Sequence, residues 1–164
     1  MASGLRASRS RVVGVVIPDL QNPFFTGIVG GIEEAAHRAG YTLFLANSDG
    51  NAARESFELQ TLRSERVCGV LLIPCESSSA SYDSFVASKT PRVAIDRAPR
   101  DVAVDCVTAA NEAGSFRAVS RFIRAGLREV GMINGPDRFD VARERGAGYY
   151  RALREAGIEA RPAW

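Results

Sequence analysis

The sequence has almost no lysine, histidine or cysteine. Lys89 is the single lysine among 21 basic residues, and 19 acidic residues bring the formal net charge to +2. A charge this close to zero does not by itself indicate a nucleic-acid or membrane surface. The three cysteines form no C-x-x-C pair, which argues against a disulfide framework and against a zinc site.

Long apolar runs are also missing. No segment approaches the roughly 20 apolar residues of a membrane-spanning helix. Residues 1–11 form a segment with a positive net charge, and the apolar stretch that follows it ends at Pro18. This stretch is too short to be the apolar core of a secretory signal. With 164 residues, 46% of them apolar and 24% charged, the chain has the composition of one globular domain or two small lobes. We therefore expect a cytoplasmic chain with no membrane partner.

The motifs of the common enzyme classes are absent. His37 is the only histidine and lies late in a predicted helix, where we expect it on the surface, far from any nucleophile. The sequence contains no G-x-S-x-G, no phosphate-binding G-K-[ST], no H-E-x-x-H and no complete dinucleotide-binding glycine pattern. We expect neither an enzyme nor a bound cofactor or metal.

Short β-branched segments alternate with longer segments of helical periodicity, and this alternation predicts an α/β fold with a parallel sheet. Strands are expected at 11–17, 41–46, 67–73, 92–95, 102–108 and 129–133. Helices are expected at 23–39, 52–66, 82–88, 111–125 and 138–156. Asn111 is a candidate helix cap, and Phe57, Leu59 and Leu62 are expected to face inward. The first strand is apolar on both faces, as in a sheet covered by helices on each side.

Ligands of open parallel sheets bind beyond the carboxyl ends of the strands. An aromatic ring can stack on the apolar face of a sugar, while carboxylates and guanidinium groups bind its hydroxyls. The segments predicted at this edge therefore suit a small polyol, and they supply the candidate site residues Asp19, Phe24, Phe25, Asp96 and Arg145.

Each candidate also has a purely structural interpretation. One of two adjacent aromatic residues, here Phe24 and Phe25, normally faces the core. Asp96 could belong to a surface turn, and Arg145 could form a salt bridge with Glu144. The convergence of these residues on one sheet edge is what favours a binding site.

A series of short motifs runs through the chain from residue 11 onward: VGVVIPD at 13–19, NPFF at 22–25, GY at 40–41, VCGV at 67–70, IDR at 95–97, AG at 113–114, GP at 135–136, ER at 144–145 and AG at 156–157. In this order they closely resemble the effector-binding core of LacI/GalR-type transcription regulators. The resemblance implies a periplasmic-binding-protein-like (type I) fold. Residues 11–109 would form the N-terminal lobe, and residues 110–164 the incomplete beginning of the C-terminal lobe.

The resemblance also implies a function. The chain would be the effector-binding region of a DNA-binding transcription regulator that senses a small molecule, a carbohydrate. Phe24 and Phe25 would line the effector cleft with Asp19 as a neighbour, Asp96 would bind ligand hydroxyls, and Arg145 would be the second-lobe arginine.

Residues 1–10 resemble the end of the family's hinge helix and a linker, with Leu5 as the side chain that enters the operator's minor groove. No helix-turn-helix precedes them in this sequence, so we expect a chain truncated at both ends. Operator binding and homodimer formation would then belong to the full-length regulator.

The sequence departs from the family pattern at four positions. Family members usually carry aspartate, aspartate, histidine and histidine where this chain has Cys68, Ala110, Arg121 and Leu127. These departures bear on the packing of the lobes more than on ligand chemistry. Two alternatives stay open: a transport-type periplasmic binding protein, and an enzyme on a flavodoxin- or Rossmann-like sheet.

Overall fold

The computed structural model describes residues 10–75, 82, 89–99 and 102–161. Leu5 and the expected hinge segment around it lie outside these residues, and so does the helix expected over 82–88, apart from Tyr82. Among the described helices, none combines the length and the apolar composition that a bilayer crossing requires.

A five-stranded sheet organises the first part of the chain. Its strands are β1 Val12–Ile17, β2 Thr42–Asn47, β3 Gly69–Leu72, β4 Arg92–Ile95 and β5 Asp105–Val107. The spatial order is β2-β1-β3-β4-β5, and every pairing is parallel. The predicted α/β fold with a parallel sheet is confirmed.

The described residues also contain four helices: α1 Pro23–Arg38, α2 Ala52–Ser64, α3 Asn111–Arg124 and α4 Asp140–Glu155. Asparagine side chains start the first two. Asn22 Oδ1 accepts a hydrogen bond from the Phe24 amide at 3.0 Å, and Asn51 Oδ1 accepts one from the Arg54 amide at 3.0 Å. These bonds satisfy N–H groups that the first helical turn leaves without a partner. Exposed His37 near the end of α1 confirms the surface position expected for it.

The chain forms two compact units that divide between Val107 and Thr108. The sheet, α1 and α2 belong to the first unit, while α3 and α4 belong to the second. In the second unit the two helices enclose a small apolar core made of Val119, Tyr149, Ala152 and Leu153.

Both faces of β1 are buried in the first unit. Val15 and Ile17 pack with Phe25 of α1, whereas Val16 packs with Leu62 of α2. Successive strand residues point to opposite faces, so this alternation places one helix on each side of the sheet. The expectation that helices cover β1 on both sides is confirmed.

The inward face of α2 differs from the prediction at one position. Leu59 and Leu62 are buried as expected, but Phe57 is 65% exposed. The buried residue of the first turn is Glu55, which precedes Leu59 and Leu62 by four and seven positions and so shares their face of the helix. The prediction for Phe57 was wrong because that residue lies off this face.

The strand expected at 129–133 does not form in the described residues. A strand needs a neighbouring strand to pair its N–H and C=O groups, and no described segment of the second unit pairs with these residues. Val130 and Met132 pack against the apolar core of the unit instead, and Ile133 is fully exposed.

Candidate functional site

The carboxyl ends of β1, β3 and β4 lie at one edge of the sheet. The loops that follow these strands and the start of α1 lie at this edge. Asp19 lies in the loop after β1. Its Oδ1 atom accepts a hydrogen bond from the Gln21 amide at 2.7 Å, an Asx turn that shapes the loop leading into α1. In the described contacts Asp19 therefore organises its own loop.

The two phenylalanines at the start of α1 have different environments. Phe25 is 5% exposed and belongs to the apolar core between α1 and the sheet, whereas Phe24 is 48% exposed. Their rings meet edge to face, with centroids 5.4 Å apart and an interplanar angle of 64°. Phe24 is thus the aromatic surface available to a ligand, and Phe25 supports it from below the surface.

Asp96 directly follows β4 in an unusual backbone conformation. Its φ of 66° lies in the left-handed region, which residues other than glycine, asparagine and aspartate seldom adopt. The Asp96 amide donates to the Val107 carbonyl at 2.8 Å, and the residue is only 6% exposed. Residues other than glycine that are held in this conformation are concentrated at binding and catalytic sites.

Asp96 also influences the neighbouring strand. Burial raises the pKa of the Cys106 thiol on β5, and the negative charge of Asp96 raises it further. The carboxylate of Asp96 therefore acts electrostatically on the Cys106 thiol as well as pairing with Arg97.

Arg97 connects three parts of this edge. Its Nε lies 3.4 Å from Asp96 Oδ2, and its Nη1 donates to the Pro74 carbonyl at 3.2 Å. Its guanidinium carbon is 5.7 Å from the centre of the Phe25 ring, within cation–π range. Because Asp96 is buried and the Arg97 side chain is only 18% exposed, these two residues do not form an ordinary surface turn.

Arg145 belongs to the second unit and has a defined partner there. Its Nε donates to Asn111 Oδ1 at 2.9 Å, and Asn111 Nδ2 donates to the Ala109 carbonyl and to Glu144 Oε2 at 3.1 and 3.2 Å. Arg145 is therefore oriented by Asn111 rather than by a salt bridge with Glu144. Asn111 is the first residue of α3, so its expected role as the cap was wrong; Ala110 occupies the cap position without a side-chain bond.

The structure brings Phe24, Phe25 and Asp96 into one cluster through Arg97, while Asp19 stays within its own loop. Sequence reasoning included Arg97 only as part of the motif at 95–97 and did not name it as a site residue. It also missed the buried Glu55, which its helical spacing from Leu59 could have indicated. The cluster offers an exposed ring, a buried carboxylate and a guanidinium, a set suited to binding a polar ring compound.

The architecture is that of an α/β ligand-binding domain of the periplasmic-binding-protein type. A family model described as "Periplasmic binding proteins and sugar binding domain of LacI family" matches residues 10–164. The chain belongs to this family.

Curated relatives agree with this assignment. The chain is 31% identical over its whole length to the HTH-type transcriptional repressor PurR of Photobacterium profundum and 32% identical to the ribose operon repressor of Haemophilus influenzae, covering 49% of each. It thus spans about half the length of the curated relatives that it matches.

A solved structure shows the same fold. The periplasmic binding protein/LacI transcriptional regulator of Alkaliphilus metalliredigens, complexed with D-xylulofuranose, superposes with a TM-score of 0.78 at 29% identity. The match covers 92% of this chain and 55% of that one.

Proposed function

We propose that this chain is the effector-binding region of a LacI-type transcription regulator and that its effector is a sugar. The observation that carries the proposal is Asp96, a buried carboxylate held in a left-handed conformation beside Arg97 at the carboxyl end of β4. Family membership, a relative named as a ribose operon repressor and a relative solved with a bound sugar support it.

Each site residue has a role in this proposal. Asp96 accepts hydrogen bonds from sugar hydroxyls, Phe24 stacks on the apolar face of the ring, and Phe25 supports Phe24. Asp19 fixes the loop next to them. Arg145, oriented by Asn111, donates hydrogen bonds from the second lobe.

The proposed lobes are residues 11–109 and 110–164. The whole regulator would be a cytoplasmic homodimer that binds operator DNA through a helix-turn-helix, with Leu5 in the hinge entering the minor groove. No catalytic step is part of the proposal. By itself this chain, which has a net charge of +2 and spans about half the length of its curated relatives, should not bind an operator selectively.

A titration of the isotope-labelled chain with D-ribose and D-xylulose, followed by NMR, tests the proposal. The chain spans about half of its relatives, so we expect weak binding, with a Kd on the order of 1 mM. Resonances of Phe24, Asp96 and Arg97 should shift, and Asp96→Asn should abolish the shifts. Asp105→Asn, a change at an exposed aspartate on β5, is the matched control.

Three results would contradict the proposal. The first is an absence of shifts with both sugars, and the second is a set of shifts that survives Asp96→Asn. The third is a bound flavin or nicotinamide seen by fluorescence in the purified chain, which would favour an enzyme on a dinucleotide-binding sheet.

A further inference from the structure

Glu55 is a charged side chain with no exposure to water, on the face of α2 that packs against the sheet. Its position shares a helix face with Leu59 and Leu62, where an apolar residue would fit the hydrophobic pattern. Burying a carboxyl group in an apolar core is costly unless hydrogen bonds satisfy it, and apolar residues of similar volume often replace buried charges without loss of stability. Core packing alone therefore does not account for a glutamate here.

The contacts of Glu55 join three separate segments of the first unit. Oε2 accepts a hydrogen bond from the Cys75 amide at 2.8 Å, and Oε1 accepts one from the Tyr82 hydroxyl at 2.5 Å. Cys75 and Tyr82 are themselves buried, as is Pro74. Glu55 also lies in the first turn of α2, where the partial positive charge of the helix start favours a carboxylate.

The segment that Glu55 holds is the one that positions Arg97. The Pro74 carbonyl, one residue before the Cys75 amide, accepts the hydrogen bond from Arg97 Nη1. A rotation of the peptide segment at 74–75 would move this carbonyl, and with it the guanidinium that lies over Phe25 and beside Asp96. Hydrogen bonds at both Glu55 oxygens oppose such a rotation.

We propose that Glu55 is a positioning residue. Together with Tyr82 it fixes the turn after β3, so that the Pro74 carbonyl holds the Arg97 guanidinium against Asp96 and Phe25. Its effect on ligand affinity rests on the function proposed above, whereas its effect on Arg97 does not.

The test compares Glu55→Ala, Glu55→Gln and Tyr82→Phe with the original chain. The readout is the rate at which the Arg97 guanidinium protons exchange with solvent, measured by NMR with the signal assigned through Arg97→Lys. We expect Glu55→Ala to raise this rate about tenfold or more, because the amide of Cys75 loses its acceptor. Glu55→Gln keeps an oxygen that can accept the hydrogen bond from the Cys75 amide, so the Arg97 exchange rate should stay near that of the original chain. Tyr82→Phe removes only the second hydrogen bond to Glu55 and should give an intermediate exchange rate.

Glu58→Gln on the same helix is the matched control, because Glu58 is partly exposed and its described ion pair is a 4.0 Å contact with Arg54. This variant should leave the exchange rate of the Arg97 guanidinium protons unchanged. If Glu55→Ala does not fold, Tyr82→Phe and Glu55→Gln still provide the comparison. Thermal unfolding of every variant separates a general loss of stability from a specific release of Arg97.

Two results would overturn the proposal. In the first, Glu55→Ala lowers the melting temperature but leaves the exchange rate of the Arg97 guanidinium protons unchanged. In the second, Glu55→Gln raises that rate, which we call release of Arg97, as much as Glu55→Ala does. A second measurement, titration with D-ribose, separates this inference from the proposed function. Release of Arg97 together with weaker ribose binding supports both. Release of Arg97 in a chain that binds no sugar supports the positioning role and contradicts the sugar site.

Discussion

Gly148 of α4 lies against the backbone of Glu112 in α3. A Cβ atom added at Gly148 would lie 2.2 Å from the Glu112 carbonyl oxygen and 2.9 Å from the Phe116 amide nitrogen. Both are backbone atoms of a helix, so neither can move aside alone. We predict that Gly148→Ala destabilises the second unit by about 3 kcal/mol, seen as lost protection of α3 and α4 amides in hydrogen exchange.

Gly146→Ala on the same helix is the control for this prediction. A Cβ there would lie 3.6 Å from Asn134 Nδ2, an ordinary contact. Alanine in a helix interior is more favourable than glycine by about 1 kcal/mol, so this variant should be more stable than the original chain. If the α3 and α4 amides were equally protected from hydrogen exchange in the Gly146→Ala and Gly148→Ala chains, α3 and α4 would not approach each other as closely as Gly148 indicates.

The backbone at Asp96 provides a second prediction. Asp96→Ala and Asp96→Gly both remove the carboxylate and its contact with Arg97, but only glycine adopts a φ of 66° without strain. We therefore expect the glycine variant to be more stable than the alanine variant by about 1 kcal/mol in urea unfolding. Asp96→Asn should retain the backbone conformation, since asparagine tolerates it. An alanine variant as stable as the glycine variant would contradict the left-handed conformation.

The sheet and the helix bounds could be predicted from the sequence because their signals are local. The apolar segment of β1 and the periodicity of α1 each specify one kind of element, and asparagine caps mark where α1 and α2 begin. The segment 129–133 has the composition of a strand, but a strand forms only with a neighbour. The composition of residues 129–133 could not show whether a neighbouring strand would be present, and none of the described segments pairs with them.

The candidate site was predictable only in part. The rule that ligands bind beyond the strand ends indicated Phe24 and Asp96, because their positions follow from the strands. The connection from Glu55 through the turn at 74–75 to Arg97 depends on contacts between segments far apart in the sequence. Binary patterning also assumes that charged residues face solvent, and Glu55 breaks that assumption.

Asn111 provides the third prediction, because its buried side chain makes three hydrogen bonds in the second unit. Asn111→Ala should lower the free energy of unfolding of this unit by about 2 kcal/mol, since it leaves Arg145 and Glu144 without these partners. Glu144→Gln keeps an oxygen acceptor for Asn111 Nδ2 and should change stability little. Urea unfolding followed by far-UV circular dichroism measures both. A larger loss in Glu144→Gln than in Asn111→Ala would place the main interaction at Glu144 instead.

Cys106 provides a prediction about pH. Because burial and the charge of Asp96 raise the pKa of its thiol, less thiolate is present at a given pH than in an unfolded chain. Iodoacetamide should therefore alkylate Cys106 more slowly in the folded chain at pH 8, as measured by mass spectrometry of the Cys106 peptide. At neutral pH the thiol is protonated in both the folded and the unfolded chain, so the shift has little effect on stability there. As the pH rises from the unfolded-state pKa through the higher folded-state pKa, the shift progressively destabilises the folded chain.

Asp96→Asn isolates the electrostatic part of this effect. Removing the negative charge lowers the pKa of the Cys106 thiol, so alkylation at pH 8 should become faster, while partial desolvation of the thiol still keeps the reaction slower than in the unfolded chain. At a pH well above the thiol pKa, the rates of the original chain and the variant should converge, because both thiols are then ionised. Asp105→Asn, next to Cys106 on β5, is the control and should leave the rate unchanged. An equal acceleration by both variants would mean that a change in strand packing, rather than the charge of Asp96, controls the reactivity of Cys106.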